Sequence, residues 1–166
     1  PAVEAVYIAT PHELHAAHVT AAARAGKAVL VDKPLSVTLE DGARMIAETD
    51  AAGVALIVGP SHSFDGPVQQ AQALIASGRY GQVRMIHALN YTDFLYRPRR
   101  AEELVTDAGG GVLFSQAVHQ VDIVRLLAGQ QAVSVSAMTG AWDPARPTEG
   151  AYSALIGFAG GAFASL

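Results

Sequence analysis

The chain has only two lysines against nine arginines, and one of the lysines, Lys33, stands beyond a short apolar run, with one residue between, and directly before Pro34. A proline disfavours helix at the residue before it, so Lys33 is expected in extended backbone, its side chain projecting from a strand end. A lysine so placed can move a proton or stabilise a developing oxyanion. An ordinary surface lysine after a strand has the same local sequence. Ser115, His119 and Asp122 are spaced i, i+4 and i+7, which puts them on one face of a helix. A histidine with a hydroxyl and a carboxylate one turn away can be oriented for proton transfer. The same trio also describes a core histidine bonded to Asp122. Arg97, Arg99 and Arg100 cluster beside Tyr91 and Tyr96. Guanidinium groups suit a carboxylate-bearing ligand, unless Glu102 and Glu103 pair with them in a solvated loop. Ser61 and His62 could face the same cleft. His12, His15 and His18 recur every three residues. On a helix each such step turns the side chain by about −60°, so the outer two diverge by about 120° and chelate poorly. The zinc-peptidase pattern needs histidines at i and i+4, and position 16 is Ala16. No metal is expected.

The elements that must position these residues are legible. Val3 to Ala9, Ala28 to Val31 and Val54 to Val58 are apolar runs of strand length. Between them lie two helical segments. The first, Pro11 to Ala25, has Pro11 in its first turn and stops at Gly26. In the second, Thr38 is the N-cap with Asp41 three residues on. Leu39, Ala43, Ile46 and Ala47 share a face, and Gly53 ends it. Continuous apolar strands with helical crossovers predict a parallel sheet buried on both faces. Ligands of such sheets bind at the carboxyl ends of the strands, here Thr10-Pro11, Asp32-Lys33-Pro34 and Gly59 to His62. His15, one turn into the first helix, could line a cofactor site there.

Beyond Gly59 the pattern changes. Asp65 caps a helix running to about Ser77. Gln82 to Asp93 alternates as a strand, with Val83, Met85, His87, Leu89 and Tyr91 on one face. A short helix is expected at Ala101 to Val105. Gly109-Gly110-Gly111 reads as a flexible hinge before the helix Val112 to Ala128, which stops at Gly129. Ala132 to Ala141 is a strand, and Ala151 to Phe158 with Ala162 to Leu166 flank Gly160-Gly161 as a hairpin. This region predicts a mainly antiparallel sheet packed with helices.

Composition narrows the class. Hydrophobic residues make up 51% and charged residues 16%, with mean hydropathy +0.26, too apolar for disorder. No apolar run reaches the roughly 20 residues of a membrane helix. Net charge is −4 and no basic stripe carries interleaved aromatics, so no nucleic acid and no membrane partner is expected. Cysteine is absent, which excludes disulfides, thiolate metal sites and thiol nucleophiles. Low charge and missing cysteines fit a cytoplasmic protein. Pro1 opens directly on strand-like sequence with no basic leader, and Leu166 falls inside an apolar run, so both ends are expected to be cuts in a longer chain. No Gly-x-Gly-x-x-Gly occurs.

Three stretches, VYIATPHELH, GKAVLVDKPLS and GGGVLFSQAVHQVD, occur in that order. Together they resemble the glucose-fructose oxidoreductase / inositol dehydrogenase / MocA family along essentially the whole chain. The resemblance implies an α/β chain: the C-terminal half of a Rossmann dinucleotide-binding domain (residues 1–62), then part of an α+β domain with a mainly antiparallel sheet (residues 63–166). It implies NAD or NADP as cofactor, a hydroxyl-bearing small-molecule substrate, and a homo-oligomer, dimer or tetramer. The family's Glu-Lys-Pro motif matches Asp32-Lys33-Pro34, which makes Lys33 catalytic. The family's catalytic histidine falls on His119. Thr10, Pro11, His15, Asp32, Lys33 and Pro34 match the cofactor side; His62, Arg97, Arg99, Ser115 and Asp122 are the substrate candidates. Many members carry Asp where Ser115 stands, Gly where Ala117 stands, and Arg where Ser63 stands. The text FLYRPRRAEEL followed by the glycine-led helix is similar to the branch containing phthalate cis-dihydrodiol dehydrogenases, which oxidise an aromatic cis-diol to a catechol; the arginine-rich loop would fit an anionic substrate. Ser115 in place of Asp keeps open a different class, a non-catalytic dinucleotide- or sugar-binding member acting as sensor or scaffold.

Overall fold

A computed structural model describes residues 3–166. Its first sheet is parallel, in the order β1 (Ala5–Ile8), β2 (Ala28–Val31), β3 (Leu56–Val58), with Val6 beside Val29 and Val29 beside Leu56. A 3-10 turn, His12–Leu14, leads into α1 (His15–Arg24), and Gly26 takes φ +67° just past its end. In α2 (Leu39–Ala52), Thr38 Oγ1 accepts the Asp41 N–H at 3.1 Å, and Gly53 closes the helix at φ +64°. Both ends follow from local rules, since each satisfies backbone groups that the helix leaves unpaired.

Burial differs from the expectation in two places. Side chains alternate across a strand, and both helices pack on the face carrying Ile8, Val29 and Val31. Among the described residues nothing covers the other face, where Tyr7, Leu30 and Ile57 are exposed. In α2 the buried row is Gly42, Met45 and Thr49; Leu39 and Ile46 face outward. Small residues let α2 approach closely, and fully buried Met45 fills the contact.

The second sheet runs β4-β7-β6-β5, from β4 (Met85–His87), β5 (Ala132–Gly140), β6 (Ala151–Phe158) and β7 (Phe163–Ser165). Its β5–β6 and β6–β7 pairs are antiparallel and β4–β7 is parallel. Strand β4 is shorter than the expected Gln82 to Asp93 because its partner β7 offers only three residues. Ile86 and Ala88 pack inward, whereas Met85, Leu89 and Tyr91 are exposed. Helix α3 (Gly66–Ala76) follows Asp65, which makes no side-chain cap bond. Val124 and Ala128 of α4 (Val118–Ala128) pack on Ile156, Phe158 and Ala164. The five residues before α4, Leu113–Ala117, are π-helical. No helix among the described residues is long and apolar enough to cross a membrane.

Gly109, Gly110 and Gly111 are not a flexible hinge. All three are buried. Gly109 and Gly111 both have φ +82°, and a Cβ on Gly110 would lie 2.6 Å from the Glu103 carbonyl. The segment is a packed turn that admits backbone only. It seats the start of the π-helical stretch against Glu149. That buried carboxylate accepts the Leu113 N–H at 3.0 Å and hydroxyl protons from Thr106 at 2.7 Å and Thr148 at 3.0 Å.

Candidate active site

Three contacts join the carboxyl ends of the parallel strands to the Gly109–His119 segment. His12 Nδ1 lies 3.1 Å from the Gly109 carbonyl oxygen. The Lys33 ammonium donates to the Ser115 carbonyl at 3.0 Å. The rings of His62 and His119 stack with centroids 4.0 Å apart and planes inclined by 17°. Lys33 leaves β2 and is held back by its own turn, in which Asp32 Oδ1 accepts the Lys33 N–H at 2.8 Å. His119 comes from the first turn of α4, and His62 from the 3-10 turn Ser61–Phe64 after β3.

Position 115 contributes its backbone. The Ser115 side chain is buried, and what Lys33 uses is the carbonyl, which any residue supplies. The departure from the family's Asp therefore leaves this contact intact. The expected partnership of His119 with Asp122 is not made: His119 Nδ1 and Asp122 Oδ2 are both buried without a hydrogen-bond partner. The π-helical stretch adds backbone per turn and rephases Ser115 relative to the α-helical His119 and Asp122.

His15 does not line the crevice. It is fully buried, with Nδ1 2.9 Å from the Pro34 carbonyl oxygen and Nε2 3.0 Å from that of Thr10. It ties the Thr10-Pro11 turn to the Lys33-Pro34 turn, and so acts on the strand ends from beneath. His18 Nδ1 lies 3.2 Å from Thr10 Oγ1, so the three evenly spaced histidines serve three separate contacts.

The arginines divide. Arg97 is exposed and pairs with Asp93, Nε to Oδ1 at 2.7 Å. Arg99 is largely buried, its guanidinium 3.9 Å from the Phe94 ring centroid. Its Nε donates to the Phe94 carbonyl at 3.0 Å and its Nη1 lies 3.4 Å from Glu103 Oε1. These contacts fix the guanidinium plane and leave the Nη2 donors uncommitted by them. A cavity of about 320 Å³ is lined by Asn90, Thr92, Gln116, Gln120 and Tyr152. Gln116 Nε2 donates at 3.1 Å to the same Ser115 carbonyl that takes the Lys33 ammonium, so this cavity adjoins the lysine. None of the last three side chains stood out in the sequence, where a glutamine or tyrosine at helical or strand spacing carries no signal.

Charge at the site is set by burial first. Desolvation lowers the Lys33 pKa, helped by Arg99 and opposed by Asp32 and Glu103. Desolvation also lowers that of His119, reinforced by His62 and Lys33 and opposed by Asp122 and Asp32. His12 is lowered by desolvation too, against its bond to Gly109. In the unfolded chain both histidines return to 6.5. As pH falls below that value the unfolded chain binds protons that the fold does not, so stability declines toward the lowered folded values and is full above 6.5. Thermal melts of the intact protein are expected to drop from about pH 7.5 to about pH 5.5, with a shallower slope in His12→Gln. Equal slopes would contradict the assignment to His12.

The strand ends carry small residues. They present compact groups, Thr10, Pro11, Gly59 and Pro60, beside a single ammonium. This is the crevice in which open α/β sheets bind dinucleotides. Residues 1–60 match the family described as oxidoreductase family, NAD-binding Rossmann fold, and residues 68–166 match the GFO/IDH/MocA C-terminal domain. The chain belongs to the Gfo/Idh/MocA oxidoreductase family. It is 63% identical over 166 residues to the 1-carboxy-3-chloro-3,4-dihydroxycyclohexa-1,5-diene dehydrogenase of Comamonas testosteroni, covering 100% of this chain and 42% of that protein. Among solved structures it superposes with TM-score 0.95 and 45% identity on a candidate dehydrogenase of Bordetella bronchiseptica RB50, over 99% of this chain and 43% of that one. It also matches an inositol dehydrogenase homologue of Azotobacter vinelandii solved with NADH and myo-inositol, with TM-score 0.84 and 26% identity over 98% of this chain and 43% of the other. The chain thus spans less than half the length of these relatives.

Proposed function

We propose that the intact protein is an NAD(P)-dependent dehydrogenase that oxidises a ring carbon bearing a hydroxyl, and that its substrate class is the cis-dihydrodiol of an aromatic carboxylic acid. The observation that carries this reading is the convergence of Lys33 and His119 at the carboxyl ends of the parallel strands, one bonded to the segment that leads into the other. A nicotinamide dinucleotide, when bound, supplies the hydride acceptor. Thr10, Pro11, Asp32 and Pro34, with the backbone of Lys33, are the residues proposed to hold it.

His119, kept neutral by burial, accepts the proton of the substrate hydroxyl as that oxygen becomes a carbonyl. Lys33 offers N–H donors to the oxygen while negative charge develops on it. Arg99, planar and held against Phe94, is proposed to grip the substrate carboxylate; Arg97, spent on Asp93 in solvent, is not. A cavity of about 320 Å³ suits a single six-membered ring with its substituents. The 63% identical relative, named for a carboxylated dihydroxycyclohexadiene, supports this substrate class.

The test is nucleotide reduction by the intact protein, followed by absorbance, with NAD+ and NADP+. The substrates are carboxylated cis-dihydrodiols, uncarboxylated ones and polyols. Carboxylated diols are expected to give the highest kcat/KM. Arg99→Met is expected to raise their KM by about 10- to 100-fold, the worth of a charged hydrogen bond, and Arg97→Met to leave it unchanged. Preference for polyols would overturn the substrate class. Nucleotide binding without reduction of any compound would favour a sensor or scaffold.

A further inference from the structure

We propose that His62 is a positioning residue: its ring, stacked face to face on His119, fixes the plane of the His119 imidazole and opposes its protonation. The inference rests on the base role proposed above for His119. The stack has centroids 4.0 Å apart and an interplanar angle of 17°. Ring N–H bonds lie in the ring plane, so two stacked imidazoles exchange neither a hydrogen bond nor a proton. What passes between them is van der Waals contact and charge. His119 is buried and His62 exposed, so His62 covers one face of its neighbour from the solvent side. A protonated His62 places a positive charge against that face, well inside the distance at which salt screens.

The surroundings sharpen the role. The charged and titratable groups acting on His119 are Asp122 on its own helix, His62 on the turn after β3, and Asp32 and Lys33 on the turn after β2. The two carboxylates favour the protonated ring, and Lys33 and His62 oppose it. Lys33 is committed to the Ser115 carbonyl and to the chemistry, which leaves His62 as the opposing group whose removal shifts this balance without removing a reacting atom. His119 Nδ1 has no hydrogen bond to hold the ring, so the stack is the contact that defines its plane.

The test compares wild type with His62→Phe, which keeps a flat ring without charge, and with His62→Gln, should the first fail to fold. Two readouts are taken on the intact protein: kcat/KM against pH, and the titration of His119 followed by NMR of its imidazole. Both are expected to move to higher pH in the variants. An unmoved His119 titration in both variants overturns the proposal. A titration that moves while the acid limb stays supports the coupling and removes the base role from His119, which is the failure of the proposed function and not of this one.

Discussion

Replacing Lys33 by Met is expected to lower kcat by about 10²- to 10⁴-fold while nucleotide affinity stays within a few-fold of wild type. Methionine preserves the length and most of the apolar stem, so the half-buried packing survives. What is lost is the ammonium that crosses to the Ser115 carbonyl. The loss should appear in kcat and not only in KM, because the charge acts on an oxygen that becomes negative as the reaction proceeds. Lys33→Arg is not expected to rescue turnover. A guanidinium is a planar fork, and the turn that Asp32 closes leaves the head of residue 33 a single carbonyl at 3.0 Å to meet. Steady-state kinetics and a nucleotide-binding isotherm on the intact variants check both statements. Wild-type kcat in Lys33→Met would remove the lysine from the mechanism.

Gly111→Ala is expected to lower stability by about 3–5 kcal/mol, the range for a buried carboxylate that loses its partners. Gly111 has φ +82°, and a Cβ there would overlap the Glu149 carboxylate. That carboxylate is 6% exposed and holds the Leu113 N–H with the hydroxyls of Thr106 and Thr148. The atoms a Cβ would meet are the ones that hold these bonds, so moving them aside gives the bonds up. Gly129→Ala is the control: φ there is +61° with nothing within 4 Å of an added Cβ, so only the conformational cost of about 1 kcal/mol applies. Denaturant or thermal unfolding of both variants makes the comparison, and equal losses would contradict the packed turn. Turnover should also fall in Gly111→Ala, because the displaced segment carries the Ser115 carbonyl.

The regular elements were readable where one residue and its near neighbours decide the outcome. Thr38 with Asp41, the glycines after α1, α2 and α4, and the Gly160-Gly161 turn each satisfy a local backbone demand, and each stands where expected. Burial was less readable. Leu39 and Ile46 looked like the inward face of α2, yet Met45 with Gly42 and Thr49 forms it, because Gly42 sits against the Leu35–Ser36 turn and this sets which row of the helix meets the sheet cluster. Three consecutive glycines suggest freedom by composition, and contact with Glu103 and Glu149 removes it.

Lys33 and His119 could be singled out by residue type, neighbours and family resemblance alone. Sequence by itself determined the order of strands and helices and their caps, and pointed to Lys33 and His119 as the candidates to move a proton. Only the tertiary structure decided that the Lys33 ammonium meets the carbonyl and not the side chain of Ser115, that His62 covers His119, that His15 lies beneath the crevice and that Arg99 is the arginine held near it. These contacts join residues far apart in the chain. Their partners are chosen by how two sheets pack against one buried turn, and no local propensity encodes that choice.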